Sequence, residues 1–138
     1  MSEAAILDKL FNLNKEKPKQ TYRIKQLDMS FTLQALSEQK IEYLRSRYQD
    51  NDEQKQVRAF NRALVAEATV AIDGDPGVTW KHPKLMERYK ASSPEQVVKR
   101  VLLPGHILEL ADKVLRLSGY YDKATEEEEI KNSLEGEG

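Results

Sequence analysis

The hydrophobic and polar positions of this chain switch between helical and strand periods. Ala4, Leu7 and Phe11 lie at i, i+3 and i+7, with Ile6 and Leu10 beside them. That spacing predicts a short amphipathic helix over residues 2–11. Residues 12–20 are polar and aperiodic, with Lys15, Lys17, Pro18 and Lys19 among them, and read as a linker. A helix of about ten residues is marginal in water by itself. It must dock: on its own domain in the simplest reading, on a partner or a second copy otherwise.

The period then changes to two. Tyr22 and Ile24 alternate with Arg23 and Lys25, and Met29, Phe31, Leu33 and Ala35 alternate with Ser30, Thr32 and Gln34. The pattern predicts two antiparallel strands over 21–36, with residues 26–28 as their turn. A lone hairpin is barely stable, so the apolar face holding Phe31 and Leu33 requires a helix across it.

From Ser37 the helical period returns. Ser37 is placed to cap a helix carrying Ile41, Leu44 and Tyr48. Asn51 or Asp52 caps a longer one, whose face Val57, Phe60, Leu64, Ala68 and Ala71 reads as core. Asp73-Gly74-Asp75-Pro76-Gly77 supplies the residues of a turn. Trp80 and His82-Pro83 follow, then a short helical pattern over 84–90. Ser93-Pro94-Glu95-Gln96 opens a helix with Val97, Val98, Val101 and Leu102 on it. Pro104-Gly105 interrupts it and starts another, with Ile107, Leu108, Leu110, Ala111, Val114, Leu115 and Leu117, which Gly119 ends. After Tyr120-Tyr121 the chain turns acidic, with glutamates at 126–129 and only Ile130 and Leu134 as large apolar groups. Such a run predicts disorder.

The expected fold is therefore α+β and predominantly α-helical. An N-terminal helix and linker (1–20) precede a small two-stranded antiparallel hairpin (21–36) and about five helices in a compact bundle (37–121). These form one domain, followed by a disordered acidic tail over 122–138. A length of 138 residues supports one core of this kind.

Composition narrows the function. With no cysteine, disulfides, thiolate ligands and cysteine nucleophiles are excluded. No apolar run approaches the roughly 20 residues that span a bilayer. The first residues lack a basic start and a clean apolar stretch, so a cytoplasmic protein is expected. The two histidines, His82 and His106, stand 24 residues apart and fit no metal-binding pattern. His106 reads as a polar pair with Glu109 on a helix surface, and His82 as a turn residue. Asp73-Gly74-Asp75 starts like a calcium loop, but Lys84 or Met86 stands where the twelfth-position carboxylate belongs. No phosphate loop, dinucleotide fingerprint or nucleophile elbow occurs. Cations such as Arg45, Arg47, Arg58 and Arg62 are interleaved with Glu38, Glu42, Asp50, Asp52, Glu53 and Glu67. Nucleic-acid binding, which needs clustered cations, is disfavoured. The residues point to a binder without catalytic, cofactor or metal sites.

One segment carries a resemblance. Val98-Lys99-Arg100-Val101-Leu102-Leu103-Pro104-Gly105-His106-Ile107-Leu108-Glu109-Leu110, continuing to Leu117-Ser118-Gly119-Tyr120, resembles the signature region of XkdN-like phage tail assembly chaperones. In that family a Leu-Pro-Gly turn opens an amphipathic helix that stops at Ser-Gly-Tyr or Ser-Gly-Phe, before an acidic tail. The two strands over 22–37 and the short N-terminal helix with its lysine-bearing linker are similar too. The likeness spans nearly the whole chain and points to members from PBSX-like defective prophages of Bacillus-type hosts. His106 departs from the pattern, standing where many relatives have an acidic residue.

The resemblance implies a non-catalytic chaperone that binds the tape measure protein, keeps it soluble, promotes assembly of tail tube protein around it and is absent from the mature particle. It also implies, as a further partner, a longer frameshifted form of the chain itself. Ile130-Lys131-Asn132 can be encoded by a slippery heptamer; a gene writing the last pair AAG AAT would exclude slippage there. The surplus apolar residues Val101, Leu102, Ile107, Leu110, Val114 and Leu117 are candidates for one wall of a client groove. Leu7, Leu10 and Phe11 are candidates for another. The simpler alternative packs the two sets on each other as core. A tail completion or adaptor protein of the particle is the competing function, with a nucleic-acid-binding regulator behind it.

Overall fold

Cap chemistry sets where most helices begin in the computed structural model, which describes residues 2–13 and 17–120. Ser2 Oγ accepts from the Ala5 amide at the start of α1 (Glu3–Asn12). Ser37 Oγ does the same for Lys40 at α2 (Glu38–Arg47), and Asp52 for Gln54 and Lys55 at α3 (Glu53–Ala68). Each cap satisfies an amide that lacks a partner within its helix. His82, expected in a turn, caps α4 (Pro83–Arg88), its Nδ1 accepting from the Lys84 amide. α5 (Pro94–Val101) and α6 (Pro104–Leu117) start with proline instead, and neither has a side-chain cap at Ser93 or Leu103. Gln96 Oε1 reaches back to the Ser92 amide at 2.9 Å, one residue earlier than the expected reciprocal box. Gly119, at φ +89°, closes α6: its amide reaches Arg116 O and the Tyr120 amide reaches Leu115 O, each at 3.1 Å.

The sheet has three strands, not two. β1 (Lys19–Ile24), β2 (Met29–Gln34) and β3 (Thr69–Ile72) form an antiparallel sheet with β2 in the middle. β1 begins two residues inside the expected linker, with Lys19 opposite Gln34 and Gln20 opposite Leu33. The helical stripe expected to continue through Ala71 stops at Ala68. Thr69, Val70 and Ile72 are β-branched and suit a pleated, half-buried surface, and β2 offers them a free edge. Phe31 faces Ile72 and Thr32 faces Ala71, and a register shift follows before Leu33 meets Thr69. Asp73 and Gly74, at φ +50° and +78°, make the two-residue turn that returns the chain to Asp75.

α3 and α6 cover one face of the sheet, and α5 and α2 pack on α3. Phe31 and Leu33 of β2 point into this core with Ile24 and Ile72 from the neighbouring strands. The second half of α3 is buried nearly all round, at Ala63, Leu64, Val65, Ala66 and Ala68. Trp80, from the loop after β3, stacks on Phe31 with ring centroids 5.6 Å apart and donates its indole N–H to Thr69 Oγ1 at 3.0 Å. Ser118 ties the far end of α6 to the strand exit: its Oγ accepts from the Leu36 amide at 2.9 Å and donates to Val114 O at 2.7 Å. α2–α6 match the five helices expected after the hairpin. The expected disordered tail, 122–138, lies outside the described residues.

Candidate partner-binding surfaces

α1 is amphipathic yet buries none of its residues. Among the described residues, its expected docking on its own domain is therefore not met. Ile6, Leu7, Leu10 and Phe11 are all exposed, and Leu13 extends the stripe beyond the helix. Phe11 is 72% exposed and Leu10 53%, so most of the transfer free energy of these side chains is unused. Full burial of one such side chain stabilises by roughly 1.5–3 kcal/mol. A contiguous apolar stripe of this kind makes α1 a candidate interaction surface.

A second surface lies where α3 and α5 meet the start of α6. A groove of about 480 Å³ opens there. Leu102 and Ile107, both buried, form its floor, and Val57 and Leu108, 51% and 61% exposed, form its walls. Pro104 and Gly105 line the mouth, and a Cβ built on Gly105 would meet nothing within 4 Å. Arg58 and Arg62, one helical turn apart on α3, and Lys99 on α5 complete the lining. None of the three pairs with a carboxylate among the described residues, whereas Glu67 holds Lys40 and Lys81 elsewhere, at 3.1 and 3.6 Å. The groove is an apolar slot with a free cationic rim.

The residues expected to bind a partner are thus distributed unequally. Leu7, Leu10 and Phe11 are on the open stripe. Leu102 and Ile107 reach the groove floor, Val101 and Leu117 are half-buried against the core, and Leu110 and Val114 are inside it. Among the described residues the first set stays exposed rather than packing on the second as core. Val57, read as core, is a groove wall instead, because α3 outruns the elements that cover its second half. Leu108, Arg58, Arg62 and Lys99 were not candidates; only the i, i+4 arginine pair beside Val57 could have signalled them.

His106 also departs from expectation. Rather than pairing with Glu109 on the surface, it is buried, with Nε2 2.8 Å from Gln26 Oε1 in the hairpin turn. With Nε2 as the donor, its Nδ1 has no partner among the described residues. Among those residues no three His, Asp or Glu side chains converge as a metal site would require.

Tyr48, at the end of α2, donates to Glu95 Oε1 of α5 at 2.8 Å. Burial first, then the Glu95 carboxylate, push its hydroxyl up to about 12. A raised pKa contributes stability in full below the unfolded value of about 10, and loses it as pH climbs through the folded value. Tyr48→Phe should therefore cost about 1 kcal/mol near neutral pH. The gap to the parent protein should narrow between pH 10 and about 12. Urea unfolding followed across that range checks it; a gap that widens with pH contradicts the assignment.

An open apolar stripe on α1 and an apolar groove edged by Arg58, Arg62 and Lys99 are the candidate surfaces among the described residues. The model of the phage XkdN-like tail assembly chaperone family matches residues 7–131. The chain belongs to this family. The match begins at Leu7 on the α1 stripe and includes every residue of the groove. The fold of this tail assembly chaperone is similar to the crystal structure of the protein yqbn, with a TM-score of 0.54 and 23% identity. That likeness covers 78% of this chain and 88% of the other. No curated protein matches the chain. Among the described residues no helix is long and apolar enough to cross a membrane.

Proposed function

We propose that this tail assembly chaperone binds the tape measure protein, keeps it soluble and promotes assembly of tail tube subunits around it. It acts without catalysis, in the cytoplasm of the host bacterium, and does not remain in the finished particle. The observation that carries the reading is the α1 stripe: Leu7, Leu10 and Phe11 exposed on a helix that buries nothing in its own fold. A long helical client exposes apolar faces before assembly, and helices bind such faces through anchors at i, i+3 and i+7. The groove floor at Leu102 and Ile107 offers a second point of contact.

The test is coexpression with the product of the very long reading frame expected directly downstream of this gene. The client should move from the insoluble to the soluble fraction and copurify with the chain. A client equally insoluble with and without it overturns the proposal.

A further inference from the structure

We infer that the groove between α3, α5 and the start of α6 receives the chain's own acidic C-terminal segment, residues 126–134. The groove sets the chemistry of its occupant: one or two large apolar side chains for the slot at Leu102 and Ile107, and carboxylates for Arg58, Arg62 and Lys99. Four consecutive glutamates at 126–129, followed by Ile130 and Leu134, supply both, and no other stretch of the sequence has a run of four carboxylates. The charge distribution points the same way. The 22 cations and 23 carboxylates of the chain nearly balance, yet seven of the carboxylates and only two of the cations fall in 121–138. The remainder is net positive, and its unpaired cations include the groove rim.

The reach is sufficient. α6 has 14 residues, so its start lies about 20 Å from its end at about 1.5 Å per residue. The chain leaves the described residues at Tyr120. Ile130 follows ten residues later, and an extended chain of that length spans up to about 33 Å. Tethering raises the local concentration of such a segment to the order of millimolar, enough for a weak charge-assisted contact to be populated. Contacts at an exposed rim are screened by salt.

The absence of native cysteine allows a single spin label to be placed at Gly136→Cys in the full chain. At low ionic strength, the amide signals of Val57, Arg62, Lys99 and Leu108 should lose about half their intensity relative to the reduced label, as proximity through an intramolecular tether requires. The loss should vanish when Glu126, Glu127, Glu128 and Glu129 are all replaced by glutamine, and in about 0.5 M salt. Unperturbed groove signals at low salt overturn the inference, as does broadening that survives the glutamine replacements. Broadening that arises between a labelled and an unlabelled copy, and not within one, assigns the tail to a second copy and also overturns it. No client is present, so none of these failures touches the coexpression test.

Discussion

Trp80→Ala lowers the unfolding free energy by about 3–5 kcal/mol, the range for truncating a large buried aromatic. Against a typical total of about 5–15 kcal/mol, that brings the protein close to unfolding. Trp80 is 2% exposed, lies almost parallel to Phe31 at an interplanar angle of 10°, and donates to Thr69 Oγ1. Thr69 Oγ1 in turn donates to Val65 O at 2.7 Å, where α3 passes into β3. One side chain from a loop thus fills the core beside the central strand and ties down the junction of helix and strand. Trp80→Phe keeps a ring against Phe31 but removes the N–H donor, and should cost about 1–3 kcal/mol. Because Trp80 is the only tryptophan, unfolding of these variants is followed by circular dichroism in urea. A loss of less than about 1 kcal/mol for the alanine variant would show that the loop is not part of the core.

The opposite pattern is expected for α1. Replacing Leu7, Leu10 and Phe11 together with serine should change stability by no more than about 0.5 kcal/mol, as for surface positions without special contacts. Under the proposed function, the same variant should fail to keep the tape measure protein soluble, because the three proposed anchors of the stripe are removed at once. A matched variant on the polar face, Lys9→Ser, should retain it. The measurement pairs a urea titration of the variant alone with the soluble fraction of the coexpressed client. Undiminished solubilisation would remove α1 from the binding surface. A large loss of stability would instead place the stripe in the core, against its exposure here.

Much of the site was legible in part only. Leu7, Leu10 and Phe11 were identified as amphipathic from spacing alone, but spacing does not say whether a stripe meets its own core or solvent. Leu110 and Val114 have the same character in sequence and turn out to be fully enclosed. The groove rim was hidden for a related reason. Arg58 and Arg62 stand among acidic residues in the sequence, yet the fold carries Glu67 to Lys40 and Lys81, away from them. His106 next to Glu109 suggested a local pair, and the hairpin turn supplied Gln26 from 80 residues away.

What the sequence by itself determined is local. Ser37 and Asp52 cap their helices, Asp73-Gly74 turns, Gly119 stops α6, and the period-two stretch forms β1 and β2. Each depends on groups within a few residues of one another, so the information is contiguous. Tertiary structure decided that Thr69–Ile72 leaves the helix to pair with β2, that Trp80 enters the core, and that α1 stays uncovered. Those outcomes depend on which free edges and apolar faces meet across long separations. A free sheet edge captures a β-branched segment that helical spacing alone would have kept in α3, and burial is settled only when the neighbouring elements are in place.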